Sequence, residues 1–139
     1  MRKILLLIIA ILLLFSCSSK SGIEEKLPIP KEFKPSYKIV SDERLDYKWD
    51  GLDIMRKSYR ITVPKCTNEE IKNNCRHLAI KTYQSGVYNV SIFVYNNRSE
   101  VNGQYTVALY EFCPYGDWGR TNEMYSARLK DYGENFRTR

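Results

Sequence analysis

Alternating and helical spacings of apolar residues divide the chain into elements. Tyr37 to Trp49 has strand character and ends at Asp50-Gly51, a strong hairpin signal between two β-rich runs. The return strand runs from about Leu52 to Val63, where Tyr59, Ile61 and Val63 alternate with Ser58, Arg60 and Thr62, and Pro64 stops it. Thr67-Asn68-Glu69-Glu70 is a capping box that starts a helix. Within that helix Ile71, Cys75, Leu78, Ala79 and Thr82 form one stripe at 100° per residue, and Ser85-Gly86 ends it. Val87 to Tyr95 is apolar on both parities and reads as a central strand. After the polar loop from Asn96 to Gly103, Gln104 to Cys113 reads as a fourth strand, with Val107 and Leu109 opposed to Ala108, Tyr110 and Phe112. Thr121 then starts a short helix with Tyr125, Leu129 and Tyr132 in a row, ended by Gly133. The order β-β-α-β-β-α predicts an α+β domain: a four-stranded mixed sheet, one packed helix and a short C-terminal helix. The strands flanking the first helix should run parallel.

The N-terminus follows a different rule. Met1-Arg2-Lys3 is followed by twelve apolar residues from Ile4 to Phe15, then Ser16-Cys17. A helix of that length spans about 18 Å against about 30 Å of hydrocarbon, so the pattern fits a secretory signal better than a permanent span. Leu14-Phe15-Ser16-Cys17 resembles the lipobox of bacterial lipoproteins. That resemblance implies a signal peptide over residues 1–16, removal of that peptide, and diacylglycerol on the Cys17 thiol. Acyl chains at about 0.8 kcal/mol per buried CH₂ make a lasting anchor. It also implies an extracytoplasmic location, and the outer membrane where a cell has two membranes, because Ser18 is not the Asp that retains such proteins. Residues 17–36 are then the lipidated N-terminus and a flexible tether. The stretch SSKSGIEEKLPIPKEFKPS is rich in Ser, Lys, Glu and Pro and would reach roughly 60 Å extended. The alternative is that Leu27, Ile29 and Phe33 pack back as an edge segment. Residues 37–139 form a single domain. The strings ITVP, VSIFVY and YTVALYEFCPYGDW are similar to those of an uncharacterised group of small bacterial secreted proteins and lipoproteins, a resemblance that implies no activity.

Composition narrows the function. With 139 residues, 43% of them hydrophobic, and 11 Tyr, 5 Phe and 2 Trp, the chain can bury one core and is no disordered segment. The net charge is +6; loss of Arg2 and Lys3 with the signal leaves 20 cations against 16 anions, or +4. Cys66, Cys75, Cys113 and His77 have the count of a zinc site but not its paired spacing. Cys75 and His77 point about 160° apart on a helix, which also separates a nucleophilic dyad. No metal and no cofactor is expected. An oxidising compartment permits a disulfide, and Cys75–Cys113 is the favoured pair; the alternative is buried free thiols. Asp46, Asp50, Asp53 and Asp117 are the carboxylates available for acid–base work, and turns account for Asp50 and Asp117.

Aromatic and cationic residues crowd the last stretch. Tyr115, Trp118, Arg120, Tyr125 and Arg128 are the candidate binding surface, since exposed aromatics with Arg suit recognition. These features predict a lipid-anchored, non-catalytic envelope lipoprotein acting by binding, its partners the membrane lipid through acylated Cys17 and an envelope protein or anionic cell-wall polymer. Nucleic acid is not expected in that compartment. Two alternatives stand beside it: a small envelope enzyme using a cysteine or carboxylate, and an inhibitor of a lytic enzyme, which a +4 domain suits only if the target is acidic.

Overall fold

Asp50 and Gly51 both take positive φ, 48° and 77°. Two left-handed residues in succession are what a tight two-residue hairpin turn requires, and only Gly adopts the second without strain. The turn joins β2 (Tyr47–Trp49) to β3 (Leu52–Ile54), a small separate sheet. The computed structural model describes residues 22–139; the signal peptide expected over residues 1–16 and the lipidation expected at Cys17 lie outside the described residues. Within them the class is α+β.

The main sheet has five strands in the order β1-β4-β5-β6-β7, formed by β1 (Lys38–Arg44), β4 (Arg56–Thr62), β5 (Asn89–Tyr95), β6 (Ala108–Pro114) and β7 (Tyr132–Thr138). β4 and β5 are parallel and the other pairs antiparallel. A helix, here α2 (Asn68–Gln84), connects β4 to β5, as a parallel pair needs. Thr67 and Glu70 form the capping box at its start. The stripe Ile71, Cys75, Leu78 and Ala79 packs on Tyr59, Ile61, Val90, Ile92, Val94, Ala108, Tyr110 and Phe112. Thr82 stays in the stripe by giving its hydroxyl to Leu78 O and pairing with Tyr59 Oη at 2.9 Å.

Three expectations change. The hairpin expected from Tyr37–Trp49 and Leu52–Val63 is split: its tip, β2–β3, leaves the sheet that β1 and β4 share. The C-terminal helix does not form: after an earlier 3₁₀ turn at Arg98–Glu100 (η1), further short turns at Trp118–Glu123 (η2) and Leu129–Asp131 (η3) lead into β7, the fifth strand. Tyr125, Leu129 and Tyr132 do not share a face; Tyr125 is exposed, Leu129 half-buried and Tyr132 in the core. Thr, Asn and Ser give this stretch weak helical preference, and pairing with β6 satisfies the backbone of seven residues instead. Gly133 lies inside that strand. The Tyr115–Gly116 backbone crosses it so closely that a Cβ would lie 2.9 Å from Gly116 N.

The tether expected through residue 36 is docked from Gly22 on. Gly22–Lys26 forms a short helix, α1, and Ile23 and Leu27 are buried in the same core. Arg76 Nη1 donates to Pro28 O at 3.0 Å, Lys26 Nζ to Lys130 O at 3.0 Å, and Ser36 N to Asn74 Oδ1 at 2.7 Å. Arg76 also grips Glu134 on β7 with two hydrogen bonds, of 2.5 and 3.0 Å, and Tyr110 Oη donates to the same carboxylate. Ile23 and Leu27, one helical turn apart and ahead of the prolines, give the segment its hold on the core.

Candidate functional site

Every turn at one end of the sheet gathers into a single surface. There β1 and β6 end, β4, β5 and β7 begin, and α2 stops. The β2–β3 hairpin leaves the sheet at this end. Leu45 N donates to Arg56 O and Arg56 N to Asp46 Oδ1, both at 2.9 Å, and Asp46 is gripped by Arg44 at 2.6 Å. Trp49 and Leu52 are cross-strand partners flanking the turn, 54% and 47% exposed. The hairpin rests on the η2 segment. Tyr125 Oη donates to Asp53 O at 2.7 Å, Tyr47 Oη meets Thr121 Oγ1 at 3.3 Å, and Met55 N reaches Met124 Sδ at 3.4 Å.

Guanidinium groups tie the aromatics together. Arg56 lies 4.5 Å from the centre of the Tyr47 ring and 5.5 Å from that of Trp118, while its Nε donates to Leu45 O. Arg120 stacks 3.7 Å over Tyr115 and grips Glu123 with bonds of 2.6 and 2.8 Å. That hydrogen-bonded pair raises the arginine pKa and lowers the glutamate pKa. Tyr115 sits at φ 58°, a left-handed value that costs a non-glycine residue roughly 1–2 kcal/mol. It is held there by its own N–H donating to Asp131 O at 2.8 Å. Asp117 caps η2 through Gly119 N. The surface is thus set by hydrogen bonds and stacking rather than left to loose loops.

Of the five residues singled out from the sequence, Tyr115 and Arg120 form one stack, Trp118 joins Arg56, and Tyr125 joins the hairpin. Arg128 stands apart in the η3 corner, its Nε 3.8 Å from Asp131, beside the Lys26–Lys130 contact with α1. Sequence reading missed Tyr47, Trp49, Leu52 and Arg56. The signal for two of them was present: a two-residue Asp-Gly turn forces its flanking side chains to the tip, and here these are Trp and Leu.

Groups suited to covalent or acid–base chemistry are placed elsewhere. Cys66, Cys75 and Cys113 are free. The expected Cys75–Cys113 bridge does not form because the sheet separates the two thiols. Cys75 lies in the helix-facing core with Tyr110 and Phe112, and Cys113, next along β6, alternates to the other face. Burial, with Glu134 adding, pushes the Cys75 pKa far up; burial, with Glu111 and Asp117 adding, pushes Cys113 up to about 12. Burial and Glu70 raise Cys66 as well. His77 is half-buried; its Nδ1 pairs with Tyr37 Oη at 3.1 Å, and burial followed by Lys81 lowers its pKa. Asp46 and Asp53 sit in ion pairs with Arg44 and Lys48. Among the described residues no group of three or more His, Cys, Asp and Glu converges as a metal site would, and no helix is long and apolar enough to cross a membrane.

On the sheet face away from α2, Ser58, Ser91, Glu111 and Asn135 stand in register across four strands. Glu111 accepts from Arg137 Nη2 at 2.7 Å and from Asn135 Nδ2 at 3.2 Å, so this buried carboxylate is compensated in place.

No protein-family model, curated protein or solved structure matches the chain.

Proposed function

We propose that the chain is a lipid-anchored module of a bacterial envelope that works by contact rather than by turnover. Leu14-Phe15-Ser16-Cys17 supports the anchor, with the two cations and the short apolar run before it. The observation that carries the contact reading is the end of the sheet just described. Among the described residues, four of the five exposed large hydrophobic and aromatic side chains, Trp49, Leu52, Tyr115 and Tyr125, gather there, and Ile39 alone lies elsewhere. Held aromatics and stacked guanidinium groups are economical recognition elements, because little side-chain entropy remains to be lost on binding.

The positions of the reactive side chains also favour contact over catalysis. Thiols whose pKa values are raised by burial are poor nucleophiles at neutral pH. The histidine is engaged by a tyrosine, and each aspartate at the candidate surface has a structural task. The domain would lie outside the cytoplasm, on the outer membrane in a cell with two.

Growth of cells expressing wild type or Cys17→Ser with an alkyne-tagged fatty acid tests the anchor. Wild type should take up label, lose its leader and float with membranes, and Cys17→Ser should take up none. Unlabelled wild type with an intact leader overturns the reading.

A further inference from the structure

The docking of residues 22–36 changes what a lipid at Cys17 would do. Only five residue steps separate Cys17 from Gly22, a reach of at most about 18 Å whatever their conformation. A folded unit the size of residues 22–139 has a radius of gyration of about 13 Å and so a diameter of roughly 35 Å. The leash is about half the width of the body it holds, and the domain cannot leave the membrane surface.

The leash also selects which end faces the lipid. α1 begins where it attaches: Gly22 lies beside Leu129 of η3, Lys26 bonds Lys130 O, and Glu24 Oε1 lies 3.4 Å from Gln84 Nε2 at the close of α2. η3 leads directly into the start of β7, and the close of α2 into the start of β5. This is the end of the sheet from which the Trp49–Leu52 hairpin projects. Attachment point and exposed aromatic tip therefore lie at the same end of the sheet.

We propose that this end rests in the interfacial layer of the bilayer that holds the anchor, with Trp49 and Leu52 inserted among the headgroups. The inference rests on the lipid-anchor reading and names what the aromatic surface touches. Trp and Tyr favour that layer because an apolar ring and a polar edge are both satisfied there. Charge is not the attraction. Lys48 pairs with Asp53 at 2.8 Å, Arg120 with Glu123 at 2.6 Å and Arg128 with Asp131 at 3.8 Å, so the end carries little uncompensated field. Contact should form on zwitterionic lipid and persist in high salt.

The test uses the lipidated protein in phosphatidylcholine vesicles. Trp118→Phe leaves Trp49 as the only tryptophan of the chain's two. With acyl chains brominated near the headgroup, Trp49 emission should fall by about half or more, at low and high salt alike. Trp49→Phe, which reports Trp118, should lose much less. If Trp118→Phe does not fold, wild type compared with Trp49→Phe yields the same quantity. Protein that floats with the vesicles while Trp49 ignores bromine and stays open to iodide overturns the inference and points to a protein partner. Protein that does not float overturns the anchor reading, and the inference with it.

Discussion

Leu27→Ala separates a docked segment from a tether. Leu27 is 1% exposed and packs in the core with Ile23. Removing three carbons at about 0.8 kcal/mol each loses about 2.4 kcal/mol of transfer energy, and the cavity left behind brings the total to about 3–4 kcal/mol. The segment could relieve part of this by undocking, but it would then give up the burial of Ile23 and the bonds from Arg76 to Pro28 O and from Lys26 to Lys130 O. A loss of at least about 2 kcal/mol survives either route. For an ordered unit of this length each kcal/mol moves Tm by roughly 3–5 °C, so the expected fall is about 6–20 °C. Thermal and urea melts of the full chain, followed by circular dichroism, give both numbers. Glu32→Ala, at an exposed position of the same segment, is the control and should stay within about 0.5 kcal/mol. A Leu27→Ala chain that melts with the control would mean that residues 22–36 are a free tether. The leash would then be long again and the orientation argument would fail.

Two further outcomes follow from buried groups. Burial raises the Glu134 pKa, but Arg76, Lys72 and Tyr110 more than offset it and hold the carboxyl below its ordinary value. A lowered folded-state pKa stabilises the fold above the unfolded value of about 4.3, and this contribution is lost as pH falls through the folded one. Glu134→Gln should therefore cost about 1–3 kcal/mol at neutral pH, because Arg76, at 12% side-chain exposure, keeps only the longer ionic contact to Glu69 at 3.7 Å, and should flatten the acid slope of the urea midpoint. Equal slopes for the two proteins would refute the pairing. Separately, a thiol reagent should find Cys75 and Cys113 silent in the folded protein and Cys66 slow, with all three labelled in guanidinium without reductant. A thiol that labels only after reduction would mean that a bridge exists.

What the sequence revealed was local. The Asp-Gly turn, the Thr67–Glu70 capping box, the α2 stripe and the parallel β4–β5 pair each depend on residues close in the chain or on a chirality rule. What it concealed depends on distant partners. β7 was hidden because Tyr132, Glu134 and Phe136 alternate over only a few residues, whereas Tyr125, Leu129 and Tyr132 imitate a helical row; pairing with β6, some twenty residues earlier in the chain, decides between them. The docked segment was hidden because Ile23 and Leu27 stand among Lys, Glu and Pro, and only the gap beside α2 gives them a destination. Cys75 and Cys113 pointed at each other only while it was open which face of β6, that of Val107 and Leu109 or that of Ala108, Tyr110 and Phe112, meets α2. The aromatic surface was half legible: its η2 half is contiguous in sequence, but the Trp49–Leu52 half arrives from a hairpin about seventy residues earlier.

The short leash bears on how strong the aromatic contact has to be. Anchored at Cys17 as proposed, the domain would be confined within about 18 Å of its attachment, a hemisphere that corresponds to an effective concentration of roughly 0.1 M. A contact with an intrinsic Kd of several millimolar, too weak to detect in a free domain, is then made more than about nine-tenths of the time. One exposed Trp, one Leu and two partly free Tyr rings are commensurate with that modest requirement, and a larger apolar patch would invite aggregation during export. On the proposed anchoring, strong binding by this surface would be unnecessary, and a weak interfacial contact would become decisive because the anchor would never let it go far. In the proposed orientation the opposite end of the sheet, where Lys38 and Arg98 line an open cleft, would be the part held away from the lipid.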